Sequence, residues 1–136
     1  MSVIQQRLSA IQQILKAPKG QRNDFGKFNY RSCSDIVEAI KGHLDGATIT
    51  LSDDIVAVGD RVYVKAIATL TYETESVSTT AFAREAMAKK GMDDSQITGT
   101  ASSYARKYAL NGLFAIDDTK DADTNDYAKA TSNALA

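Results

Sequence analysis

The chain is predicted to be an α+β domain, a three-stranded antiparallel meander with helices packed on one face, and three features of its 136 residues point there. Residues 61–72 alternate without interruption: Val62, Val64, Ala66, Ala68, Leu70 and Tyr72 share one parity, and Arg61, Tyr63, Lys65, Ile67, Thr69 and Thr71 the other. Gly59-Asp60 separates that run from a second apolar run at 47–58 and is well suited to a two-residue hairpin turn. Apolar residues recur at helical spacing on both sides of this strand-rich middle, which suits helices gathered on one face of an antiparallel sheet.

Ile4, Leu8, Ile11 and Leu15 predict an amphipathic helix over 3–16 that ends before Pro18. Its narrow stripe fits docking either onto its own domain or onto a neighbouring subunit, which makes residues 1–17 a candidate oligomerisation element. Residues 19–31 lack periodicity and read as a long basic loop or irregular hairpin. Ser32 with Asp35, or Asp35 with Glu38, caps a helix whose Ile36, Val37, Ile40 and Leu44 face inward and which Gly46 ends. The first strand, 47–58, carries Ile49, Leu51, Val56 and Val58 around an expected bend at Asp53-Asp54. The second is 61–72; after a turn near 73–75, the third is 76–84. A polar connection through Lys89, Lys90 and Gly91 leads to a long helix from about Asp94 to Ala115. Its expected packing stripe is Ile97, Ala101, Tyr104, Ala105, Tyr108, Gly112 and Ala115, with Arg106 on the opposite side and Lys107 on a flank, both wet. Tyr104 and Tyr108 are thus expected in the core. Beyond Asp117 the composition falls to Asp, Ala, Thr, Asn and Ser, too polar to offset chain entropy. The expected organisation is one folded domain, 1–116, and an acidic disordered tail, 117–136.

A chain of this length buries enough surface for a self-sufficient core. The single cysteine, Cys33, rules out an internal disulfide framework and suits a reducing compartment; the N-terminus has no long apolar run. A soluble, cytoplasmic protein with no membrane association is expected. Net charge is −1, but the tail holds five aspartates against Lys120 and Lys129, so it carries −3 and residues 1–116 carry +2. Lys16, Lys19, Arg22, Lys27 and Arg31 against Asp24 make 16–31 the most basic stretch, and local fields of this kind steer polyanions.

Catalytic and cofactor chemistry finds no support. Gly20 to Phe28 resembles a phosphate-binding loop but has five residues between its glycines, places Phe28 where a magnesium-binding hydroxyl is needed, and follows a helix. His43 is the only histidine and cannot build a zinc site with one distant cysteine, and no nucleophile motif accompanies it. Asp117-Asp118-Thr119-Lys120-Asp121 has a magnesium-diphosphate spacing, but such sites need a large cavity between helices, so an acidic, solvated helix exit is the better reading. No enzyme activity, cofactor or metal is expected.

Single-strand binding needs cations that follow phosphates and flat surfaces for bases. Lys27, Arg31, Arg61, Lys65, Arg84, Lys89, Lys90, Arg106 and Lys107 supply the first, and Tyr30 and Tyr63 are the stacking candidates, equally suited to partly buried sheet positions.

Gly99, Ser103, Tyr104, Arg106, Lys107, Tyr108 and Leu110, followed by Asp117, Asp118 and Asp121, resemble the signature of the essential recombination function (ERF) family of phage single-strand annealing proteins. Ser103 stands where that family usually has Thr, and Lys107 where it usually has a second Arg, which keeps the charge but loses the planar fork. Asp24 to Ser32 resembles the family's aromatic and basic entry into its next helix. The resemblance implies a β-β-β-α core of the recombination-mediator type, assembled as a ring or filament larger than a dimer. It implies ATP-independent annealing of single-stranded DNA in phage homologous recombination, in the cytoplasm of an infected bacterial host. The acidic tail is then the candidate segment for a host or phage recombination partner. A generic single-stranded DNA or RNA binding module and a purely structural oligomerisation protein are the alternatives.

Overall fold

The computed structural model describes residues 1–15 and 31–116, and the backbone of 21–23 and 28–30. In order, these form α1 (Val3–Ile14), β1 (Gln21–Asn23), β2 (Phe28–Tyr30), α2 (Cys33–Lys41), β3 (Thr48–Val58), β4 (Arg61–Tyr72), β5 (Glu75–Arg84) and α3 (Asp94–Phe114). The antiparallel sheet β3-β4-β5 is open, and the helices pack on one face of it. The expected α+β arrangement is therefore present, and Gln21–Asn23 and Phe28–Tyr30, expected within a long basic loop or irregular hairpin, pair as antiparallel strands β1 and β2.

Alternation in β4 produces the core. Val64, Ala66, Ala68 and Leu70 are buried beneath the helices, while the other parity faces away. Gly59, at φ 62°, takes the left-handed turn that joins β3 to β4 and pairs Val58 with Arg61. β3 runs straight through Asp53 and Asp54, with no bend. The switch of apolar parity that suggested a bend has another cause: Ile49 and Leu51 face the helices, whereas Val56 and Val58 stand on the outer face.

α1 docks onto its own domain. Ile4 and Ile11 enter the core, the Ile4 N–H donates to Glu75 Oε1 at 2.9 Å, and Gln12 Nε2 donates to the Leu113 carbonyl at 2.8 Å. Arg7 lies over the Tyr72 ring at 3.9 Å and pairs with Asp45 at 3.3 Å, tying α1 to the turn before β3. α2 starts on the expected Ser32 and Asp35 capping box, with Ser32 Oγ accepting from the Asp35 N–H at 3.2 Å and Asp35 accepting from the Ser32 N–H at 2.8 Å. It ends at Gly42, four residues before Gly46.

α3 differs from the expected stripe. Its buried line is Ile97, Ala101, Ala105 and Ala109, joined at the C-terminal end by Leu110, Leu113 and Phe114, which meet the other helices as well as the sheet. Small residues dominate the contact on both sides, so the helix approaches closely: a Cβ on Gly112 would sit 3.0 Å from Thr79 Cγ2 on β5. A tyrosine on that seam would push the layers apart. Tyr104 and Tyr108 instead stand 51% and 48% exposed, stacked on each other with ring centroids 6.2 Å apart. Tyr108→Ala is accordingly expected to cost about 1 kcal/mol or less in urea unfolding; a loss near 3 kcal/mol would show the ring to be buried in solution.

Candidate nucleic-acid interface

The β4 pairings place the expected cations. Tyr63 lies directly opposite Val56 on β3 and Arg84 on β5, and Lys65 opposite Asp54 and Phe82. Directly opposed residues in an antiparallel pair share a face. By that rule Arg61, Tyr63, Lys65, Phe82 and Arg84 share one patch with Asp54 and Val56 at the hairpin end of the outer face, away from the helices, and Arg61 pairs with Asp60 at 3.9 Å. Lys89 and Lys90, both exposed, follow in the connection that leaves β5 at the same end. Toward the other end the outer face turns hydroxylic, with Thr48, Thr71 and Ser76 in one row and Thr50, Thr69 and Ser78 in the next; Thr69 and Ser78 hydroxyls are 2.7 Å apart.

Phe82 was absent from the sequence-derived candidates. It is 52% exposed, between Lys65 across the ladder and Arg84 two residues along. The signal was present: Ser76, Ser78, Thr80 and Arg84 make one parity of β5 polar, and Phe82 falls on that parity. An apolar ring among outward polar positions has no core to fill.

Arg106 and Lys107 lie on the other side of the sheet, and the structure does not join them to that patch. Arg106, expected to stay wet, is instead engaged. Its Nε donates to Asp53 Oδ1 at 3.0 Å and Nη2 to Asp53 Oδ2 at 3.2 Å, and the Ser102 hydroxyl donates to the same Oδ2 at 2.5 Å. The side chains remain 36% and 24% exposed for Arg106 and Asp53. A half-solvated pair with two parallel hydrogen bonds contributes on the order of 1 kcal/mol. Burial works to raise the Asp53 carboxyl, but hydrogen bonds from Arg106 and Ser102 and the guanidinium charge outweigh it and hold the group below its ordinary value. Asp53 is not among the sequence candidates either, because the Asp53-Asp54 pair suggests a bend. Its parity matches Ile49 and Leu51, and a carboxylate on the inward parity requires a partner.

Arg31, expected as an open cation, is only 8% exposed and has interactions of its own. Its place at the entry to α2 buries it, and a buried guanidinium must be paired. Lys107 is half-buried and likewise engaged. Lys27 and the acidic segment from Asp117 lie outside the described residues, as does the side chain of Tyr30. Among the described residues no cluster of three His, Cys, Asp or Glu could hold a metal ion, and no helix is long and apolar enough to cross a membrane.

The sequence profile of the ERF superfamily matches residues 4–135. The chain is also 56% identical over 130 residues to the Essential recombination function protein of Salmonella phage P22. That alignment covers 96% of this chain and 63% of the phage protein, so the chain spans just under two thirds of that relative's length. No solved structure matches the chain.

Proposed function

This chain belongs to the ERF superfamily, and on that premise we propose that it binds single-stranded DNA and promotes ATP-independent annealing of complementary strands in phage homologous recombination. The observation that carries this reading is the patch at the hairpin end of the outer sheet face. There two aromatic rings, Tyr63 and Phe82, are interleaved with Lys65 and Arg84, and Arg61, Lys89 and Lys90 extend the positive charge beyond them. Rings at that spacing offer bases a flat surface without selecting among them, since every base has a π-face. The cations neutralise phosphate and leave base edges open to a partner strand. Annealing on such a surface breaks and forms no covalent bond, so it needs neither a nucleophile nor a nucleotide.

A single patch spans few nucleotides, and tracking a longer strand calls for a homo-oligomer larger than a dimer, with patches aligned along the strand. The segment from 117 onward, with its −3 charge, is the proposed acidic tail, competing with phosphate for the basic surface or engaging a recombination partner.

Complementary oligonucleotides, one carrying a fluorophore and one a quencher, test the reading directly. Pairing is expected to accelerate with added protein in the absence of ATP, and to the same extent with ATP or a non-hydrolysable analogue present. Acceleration that appears only with hydrolysable ATP would overturn it. Binding of the labelled strand without acceleration would identify a plain single-strand binding module.

A further inference from the structure

The fork by which Arg106 grips Asp53 is the geometry a guanidinium also offers to phosphate. Beside it, between α2 and α3, lies an open pocket of about 380 Å³. Cys33, Ser34 and Val37 line it from α2, and Ser102, Ser103 and Arg106 from α3. Arg106 and the hydroxyl-bearing Ser34, Ser102 and Ser103 thus line a space large enough to admit a phosphodiester with its flanking groups, and the anion that holds the cation is the protein's own Asp53. Asp53 meets the pocket through its bonds to Arg106 and Ser102, and the carboxylate that itself lines it, Glu38, is paired with Lys41 at 2.9 Å.

We propose that this pocket is a phosphodiester site for the bound single strand, and that Asp53 is its intramolecular plug. This rests on the strand-binding reading above and adds a contact on the opposite side of the sheet from the outer patch. When the strand binds, a phosphate takes over the Arg106 fork and the Ser102 hydroxyl, and Asp53 is released. Asp53 sits on a strand that is at the sheet edge among the described residues, with its side chain partly in water, so release hydrates the carboxylate and strands no buried charge. An isolated phosphate ion competes poorly against a carboxylate tethered in place; a polyanion already held elsewhere on the protein presents its next phosphate at high effective concentration. The plug therefore favours strands over free phosphate.

The test uses the full chain and a fluorescent oligothymidylate. Asp53→Asn keeps an acceptor for Ser102 and removes the charge. Its affinity for the oligonucleotide is expected to rise roughly three- to tenfold, with a log-log salt slope steeper by about 0.7, as for one added phosphate contact. Glu73→Gln removes the same charge at the far end of the sheet, and its slope is expected to stay at the wild-type value. A second readout needs no variant: Cys33, the chain's single cysteine, lines the pocket, and saturating oligonucleotide is expected to slow its alkylation by a neutral maleimide several-fold. Burial raises the Cys33 thiol, which keeps alkylation slow enough to follow near neutral pH. If the wild-type protein binds the oligonucleotide but Asp53→Asn leaves affinity and slope unchanged and Cys33 stays unprotected, the pocket carries no phosphate and the outer patch stands alone. Failure of the wild type to bind at all would instead overturn the strand-binding reading itself.

Discussion

Replacing Tyr63 and Phe82 together with alanine is expected to weaken single-strand binding on the order of a hundredfold, since each base stacked on an aromatic ring is worth about 1–3 kcal/mol. Stability should barely change: Phe82 is half exposed on the outer face and neither residue belongs to the buried core. The loss should leave the salt slope intact, because no charge is removed. Lys65→Ala, two residues along β4, should do the reverse, lowering the slope by about 0.7 with a smaller fall in affinity at moderate salt. Titrations at several salt concentrations beside thermal melts separate the two terms. Wild-type affinity in the double aromatic variant would remove the outer face from the interface.

Phe114→Ala is expected to have the largest effect on folding. Among the described residues Phe114 is the largest fully buried side chain, set in the last turn of α3 where that helix meets the rest of the core. Truncating a buried phenylalanine costs about 3–5 kcal/mol, through lost transfer energy and an unfilled cavity. Domains of this kind are stable by only about 5–15 kcal/mol, so the variant loses much of its margin. The urea midpoint should fall with little change in slope. A shift equivalent to less than about 1 kcal/mol would mean that the end of α3 is not held in solution as the structure holds it.

Legibility in the sequence followed the physics of each element. β4 could be read to the residue because both its faces obey a strict period of two and its ends are set by a turn on one side and by Glu73, at φ 55°, on the other. The start of α2 could be read because a capping box is a local chemical signal. α3 was harder. Its hydrophobic stripe is made mostly of alanine, which marks a buried face weakly, so the bulkier tyrosines attracted the assignment. Their true position depends on how near the sheet lies, and no local pattern records that distance. The candidate site divided in the same way. The outer-face cations could be read from strand parity, whereas the clasp of Arg106 joins residues 53 positions apart and is a property of packing alone. Phe82 and Asp53 were within reach of the parity argument, and each is an exception to its own face.

The strand count of the sheet has a consequence for symmetry. In a meander of three, β4 is antiparallel to both neighbours, so β3 and β5 run in the same direction, and among the described residues each has one strand partner. The two free edges are unlike in sequence but alike in direction. With the helices kept on one side, joining β5 of one copy to β5 of another requires a twofold axis through the sheet and pairs the strands antiparallel; both remaining edges are then β3, so β5 junctions alone stop at two copies. Joining β5 to β3 of the next copy requires no inversion, pairs the strands in parallel and leaves a free edge of each kind at the ends, so that addition ends only when the rotation closes on itself. An odd number of strands thus divides edge-joined assemblies of this chain into two classes: antiparallel junctions of like edges, each on a twofold axis, and parallel junctions of unlike edges, belonging to cyclic or helical order.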